Sequence, residues 1–157
     1  MRHAKSDWSD LDLRDFDRPL NERGRTDAPE MGQRLLKKMI KPDKVISSTA
    51  VRALDTCKII CHTIAYKEQA IIEEPRIYEA AVPTLLDIVN HLDNDKDVVA
   101  LFGHNNGITD FAVYLTGSDI YNIPTCGMVL IEFPFDDWRM VNKGCGELVF
   151  FDYPKKS

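Results

Sequence analysis

A chain of 157 residues with 44% hydrophobic and 29% charged side chains is long enough to bury a substantial core, and its composition is ordinary for a globular domain. Its formal net charge of −5 speaks against a general nucleic-acid binder, which would show a basic face, while leaving room for a local basic pocket. No apolar run approaches the roughly 20 residues of a membrane span, and charge from Arg2 onward argues against a signal peptide, so one cytoplasmic domain over 1–157, with neither membrane nor nucleic acid as partner, is the expectation.

Residues Asp7 to Arg18 are polar and acid-rich, with Trp8, Leu11 and Phe16 as scattered anchors, and read as a loop. In Arg18-Pro19-Leu20-Asn21-Glu22-Arg23-Gly24, Pro19 fixes the approach, Asn21 caps a short helical turn and Gly24 ends it. A longer helix follows, with Asp27 and Glu30 as a capping box and Pro29 in the first turn. Its core face is Met31, Leu35, Leu36, Met39 and Ile40. Lys44 to Ser48 is a short strand, and Ser48 or Thr49 caps the next helix, whose apolar face is Leu54, Cys57, Ile60, Cys61 and Ile64. Ala70 to Glu73 is a second strand. Residues 77–82 are irregular, and Thr84 caps a helix running to about His91.

The nearly all-apolar Asp97 to Phe102 suits a strand covered on both faces, and Gly107 leads into a helix over 108–115. Residues 128–133 and 147–151 are strands that can pair as a terminal hairpin. Strands alternating with helices, then a hairpin, predict a three-layer α/β/α sandwich with a mixed, mostly parallel sheet. The four cysteines, Cys57, Cys61, Cys126 and Cys145, form no C-x-x-C pair. They read as buried thiols in a reducing compartment. Neither a metal site nor a cofactor is expected, because zinc ligands would converge at tighter spacing.

Ligands of open α/β sheets bind beyond the carboxyl ends of the strands. Ser47-Ser48 and Gly103-His104 each follow a strand and precede a helix, so they should face one crevice. Arg52, in the first turn of its helix, can reach back over the strand ends, and Arg2-His3 joins them if it too follows a strand. Phosphoryl transfer needs a positioned nucleophile and neutralised equatorial oxygens. A neutral imidazole is a competent nucleophile near pH 7, arginine binds phosphate bidentately without losing its proton, and a second, protonated histidine can stabilise developing charge. His3, Arg2, Arg52 and His104 meet those demands.

These motifs resemble those of the histidine phosphatase superfamily, which has the phosphoglycerate mutase-like fold, and within it the short SixA-type phosphohistidine phosphatases. Arg2-His3 resembles the Arg-His-Gly nucleophile motif, with Ala4 in place of the glycine. Arg18-Pro19-Leu20 with Gly24 resembles the Arg-Pro-Leu-x-x-x-Gly segment of that subgroup. Ser47-Ser48-x-Ala50-x-Arg52-Ala53 and Gly103-His104-Asn105 resemble the second arginine and second histidine motifs. The resemblance implies a metal-independent phosphatase in which His3 is transiently phosphorylated, with Arg2, Arg52 and His104 around it and Arg18 as an additional phosphate contact.

Ile77-Tyr78-Glu79 resembles the Leu-x-Glu segment that supplies the proton donor in mutase-like relatives, which makes Glu79 the candidate general acid. An alkoxide leaving group needs such an acid, whereas the imidazole of phosphohistidine leaves readily. The substrate implied is therefore a phosphohistidine-containing protein. A small phosphomonoester, with Glu79 as acid, is the alternative. In the family a hydrophobic strand precedes the Arg-His pair; the sequence as given opens directly on that pair, so either the protein starts earlier or the strand is absent and His3 sits on a loose terminus. A loose His3 would suit a non-catalytic phosphate- or phosphoprotein-binding module. The sequence carries no signal for oligomeric state.

Overall fold

In the computed structural model, which describes residues 1–157, the sheet grows from β1 (Lys44–Ser47), with β2 (Ile72–Glu73) and β3 (Val99–Phe102) parallel on either side in the order β2-β1-β3. Side chains of a strand alternate between faces, and here both faces are apolar. Val45 packs with Leu35, Cys57, Ile60 and Cys61, from helices α1 (Glu22–Lys37) and α2 (Val51–Thr63). Ile46, one residue on, packs with Leu85, Ile88 and Phe111, from α3 (Val82–Asn90) and α4 (Gly107–Thr116). Two helices on each face of a parallel sheet give the expected three layers. The terminal strands β4 (Met128–Glu132) and β5 (Glu147–Asp152) pair antiparallel, with an irregularity between Leu130 and Ile131.

The first three residues join the two sheets. Arg2 bridges Gly103 in the parallel sense just beyond β3, with Gly103 N–H donating to the Met1 carbonyl at 2.9 Å and His3 N–H to the Gly103 carbonyl at 3.1 Å. On the other side Arg2 N–H donates to the Gly127 carbonyl at 3.0 Å and Cys126 N–H to the His3 carbonyl at 2.9 Å, so the segment runs antiparallel to the chain entering β4. Beyond Met1 the facing edges of β3 and β4 are not paired, and an apolar cleft of about 670 Å³ opens there, lined by Val99, Leu101, Val129 and Ile131 with Ile108 and Phe111.

Three helix starts differ from the sequence reading. Asn21 caps as expected, its side chain accepting the Gly24 N–H at 2.9 Å, but the helix does not stop at Gly24. It runs unbroken to Lys37 with Pro29 in its interior. Proline there forfeits one backbone bond, and the burial of Ala28, Met31 and Leu35 against α2 and β1 outweighs it. Gly24 is a contact glycine instead: a Cβ would run into the Lys5 carbonyl. Likewise α3 begins at Val82 with Pro83 in its first turn and Ala81 at the cap position, so Thr84 lies inside the helix. The cap of α2 falls on Ala50, with the Ser48 hydroxyl accepting the Ala50 N–H at 3.2 Å.

Candidate active site

His3 is held by its backbone rather than left on a loose terminus. Its N–H and C=O are both paired, to Gly103 and Cys126. The next residue, Ala4, is fully buried and donates its N–H to Thr56 Oγ1 at 2.9 Å, while the Thr56 hydroxyl donates to the Arg52 carbonyl at 2.7 Å. One α2 residue thus ties the His3 stretch to the turn carrying Arg52. The Arg18–Gly24 segment supports the same stretch from outside. Ser6 bridges Leu20 in the antiparallel sense, Asp7 N–H donates to the Pro19 carbonyl at 2.8 Å, and Asn21 N–H to the Lys5 carbonyl at 3.0 Å.

The local geometry fixes the state of the His3 ring. Its Nδ1 lies 2.7 Å from the Ala4 carbonyl, an acceptor only, so Nδ1 carries the proton and Nε2 keeps its lone pair. That lone pair accepts the Arg52 Nε–H at 3.3 Å. The His104 ring stands 5.3 Å from the His3 ring, between centroids, and its Nε2 is 2.7 Å from Ser48 Oγ. Arg2 reaches the same region, with an Nη1 hydrogen bond to the Ile123 carbonyl at 2.9 Å. Arg2 Nε and His104 Nδ1 are buried without a partner, which is unusual for polar atoms in a folded interior.

Burial sets the charge states. His3, His104 and Arg52 are only 7%, 8% and 8% exposed. Burial, with Arg52 and Arg2 adding to it against the opposing Ala4 carbonyl, pushes the His3 pKa down to about 4. Burial and then the neighbouring His3 and Arg52 push His104 to about 3. Arg2 is lowered by burial and by Arg52. Both imidazoles are therefore neutral at pH 7 in the ligand-free protein. The sequence reading gives His104 a proton in the transition state; with no ligand bound, burial between guanidinium groups keeps it neutral.

The structure thus gathers Arg2, His3, Arg52 and His104. Arg18 is buried nearby, with its guanidinium 3.9 Å above the Trp8 ring and Nη1 donating to the Asp10 carbonyl at 3.2 Å; it makes no hydrogen bond to the four. Glu79 is exposed, adopts a positive φ of 58° and forms no hydrogen bond or ion pair with them. The neighbouring Tyr78 points inward instead: its ring meets His104 edge-on at 5.4 Å, and its hydroxyl donates to Asp15 Oδ2 at 2.6 Å. Asp15, Tyr78 and Thr56 were not singled out from sequence. Asp15 and Thr56 lie outside the motifs and Tyr78 is the variable middle residue of Ile77-Tyr78-Glu79, and only the fold brings them together.

Comparison with known proteins places the chain among relatives of the same fold. The family model described as "Histidine phosphatase superfamily (branch 1)" matches residues 1–83. An uncharacterized protein of Mycobacterium tuberculosis is 31% identical over 165 residues, covering 99% of this chain and 100% of its own. An uncharacterized chloroplastic protein of Arabidopsis thaliana is 32% identical over 150 residues, covering 88% of this chain and 67% of its own. Among solved structures, a SixA-type phosphohistidine phosphatase candidate from Agrobacterium tumefaciens superposes with a TM-score of 0.81 at 26% identity, over 98% of this chain and 94% of that one. The protein histidine phosphatase SixA in complex with tungstate has the same fold, with a TM-score of 0.83 at 17% identity and the same shares covered.

Proposed function

The chain belongs to branch 1 of the histidine phosphatase superfamily, and from that premise we propose that it removes phosphate from protein phosphohistidine through a phospho-His3 intermediate. The observation that carries this reading is the His3 tautomer: Nδ1–H is engaged by Ala4, and the Nε2 lone pair faces the Arg52 guanidinium. An unprotonated Nε2 can attack phosphorus, and the adjacent guanidinium can turn its donors to the equatorial oxygens as it does so.

In the first step His3 Nε2 attacks phosphorus, the P–N bond to the substrate imidazole breaks, and the departing imidazole takes a proton from water. In the second step water attacks phospho-His3, the new P–N bond breaks, its electron pair returns to Nε2, and inorganic phosphate leaves with the water's oxygen. Arg2 and Arg52 neutralise the equatorial oxygens. His104 is neutral before substrate arrives; a phosphate dianion beside it favours the imidazolium, which then donates to the same oxygens. Arg18 is the additional phosphate contact: its Nε is buried without a partner, while Trp8 and Asp10 hold the rest of its guanidinium.

A phosphohistidine substrate is favoured over a phosphomonoester because Glu79 is exposed and contacts none of the four residues, and phosphohistidine needs no fixed acid for its leaving group. The test is to mix the protein with a phosphohistidine protein, quench without acid, and locate the adduct by mass spectrometry. Phosphate on His3, its absence in His3→Ala, and turnover well above that of sugar phosphates are expected. No adduct on His3 despite phosphate release would sink the covalent mechanism. Loss of all phosphohistidine turnover in Glu79→Gln would sink the acid-free route.

A further inference from the structure

The Arg52 guanidinium has two edges, and the structure uses them differently. Nε, on the inner edge, points at His3 Nε2 at 3.3 Å. The outer edge is engaged by one residue, Asp15: Nη1 donates to the Asp15 carbonyl at 2.6 Å and Nη2 to Asp15 Oδ2 at 3.0 Å. The same carboxylate oxygen accepts the Tyr78 hydroxyl at 2.6 Å, and Phe16 packs edge-on against the Tyr78 ring at 5.1 Å. Each Nη carries two hydrogens, so Nη2 keeps one for the inner edge while giving the other to Asp15.

We infer that Asp15 is a positioning residue, clamping the outer edge of Arg52 so that its inner edge, Nε and Nη2, meets a phosphoryl group on His3. The inference deepens the phosphatase reading and rests on it. Long arginine side chains lose several rotamers on ordering, and a fork held at one edge presents the other pre-organised. Two further features fit. The clamp is partly made by a backbone carbonyl, whose place is fixed by the chain rather than by a side-chain rotamer. The Tyr78 hydroxyl and Arg52 hold the Asp15 carboxyl below the ordinary range, against its partial burial, so it is anionic wherever a phosphatase of this kind would work. The opposite role, a resident anion that phosphate must displace, would leave the Nε edge rather than the outer edge covered.

The experiment compares wild type, Asp15→Ala, Asp15→Asn and Tyr78→Phe in turnover of a phosphohistidine protein and in binding of inorganic phosphate by calorimetry. Misplacement of about 1 Å in a reacting assembly costs about 100-fold, so Asp15→Ala should lose 10- to 100-fold in kcat/KM, most of it in kcat, and bind phosphate more weakly. Asp15→Asn keeps the backbone carbonyl and an accepting oxygen and should recover most of the loss, with Tyr78→Phe showing a smaller loss in the same direction. A thermal midpoint close to wild type separates positioning from a folding defect. Kinetics within twofold of wild type in Asp15→Ala would overturn the inference, as would tighter phosphate binding in both Asp15 variants. If wild type itself shows no His3-dependent turnover, the phosphatase reading fails. The phosphate titration, which needs no turnover, still decides whether Asp15 orients Arg52 or opposes the anion.

Discussion

Two imidazoles are buried neutral in this fold, and their burial should make it acid-labile well above the range in which carboxylates protonate. His3 falls from 6.5 to about 4 and His104 from 6.5 to about 3. In each case the unfolded chain binds the proton more readily than the folded one, so stability rises with pH through the window between the two values and is lost as pH falls through it. Between pH 7 and pH 5 each group then contributes a loss of about 2 kcal/mol, or about 4 kcal/mol together, a large part of the 5–15 kcal/mol that a domain has. Urea unfolding at pH 7, 6 and 5 reads this directly: the midpoint should fall steeply with little change in slope. A His3→Gln/His104→Gln double variant should show a much shallower fall. A wild-type midpoint at pH 5 equal to that at pH 7 would refute the reasoning, as would a double variant as steep as wild type.

Other substitutions probe the supports separately. Thr56→Val keeps the shape of a fully buried side chain but strands the Ala4 N–H, so it should cost about 1–3 kcal/mol and lower the thermal midpoint by roughly 2–10 °C, with reduced His3 phosphorylation in the trapping assay. Gly24→Ala should be worse than its helical position suggests, because the added carbon meets the Lys5 carbonyl. A loss above about 2 kcal/mol in urea unfolding is expected where helix propensity alone would give a gain of about 1 kcal/mol. Fusing five alternating apolar residues ahead of Met1 should place a strand parallel to β3 and antiparallel to β4 in the apolar cleft, spanning about 16 Å. The expected result is a thermal midpoint raised by several degrees.

The sequence showed the four central site residues because their types are chemically specific and each sits where an apolar strand gives way to a turn. The layer order was legible for a similar reason: β1 and β3 are short apolar runs between amphipathic helices, and burial on both faces leaves that signature. The α1 boundary was not legible. Local rules let Gly24 and Pro29 punctuate a helix, whereas the fold uses one as a contact point for Lys5 and tolerates the other under the packing of Met31 and Leu35. The support of His3 was hidden more deeply, because backbone N–H and C=O groups make it and every residue carries those. The clamp on Arg52 was hidden too. Asp15 lies in an acid-rich loop where no single carboxylate stands out, and its partners are 37 and 63 residues away.

The placement of His3 rests on backbone pairing. A strand inside a sheet is ordered by pairing on both sides, and residues 1–3 have that pairing, from Gly103 on one side and from Cys126 and Gly127 on the other. Rigidity at His3 is then bought from neighbours: Thr56 below Ala4, Leu20 beside Ser6, and the Ala4 carbonyl on the ring itself. Because these contacts come from α2, the α1 entry and the β3 and β4 junctions, loosening any one of them should reach the His3 ring. The Thr56→Val and Gly24→Ala variants should therefore lose phosphorylation of His3 beyond what their unfolded fraction explains, although neither residue touches a phosphate.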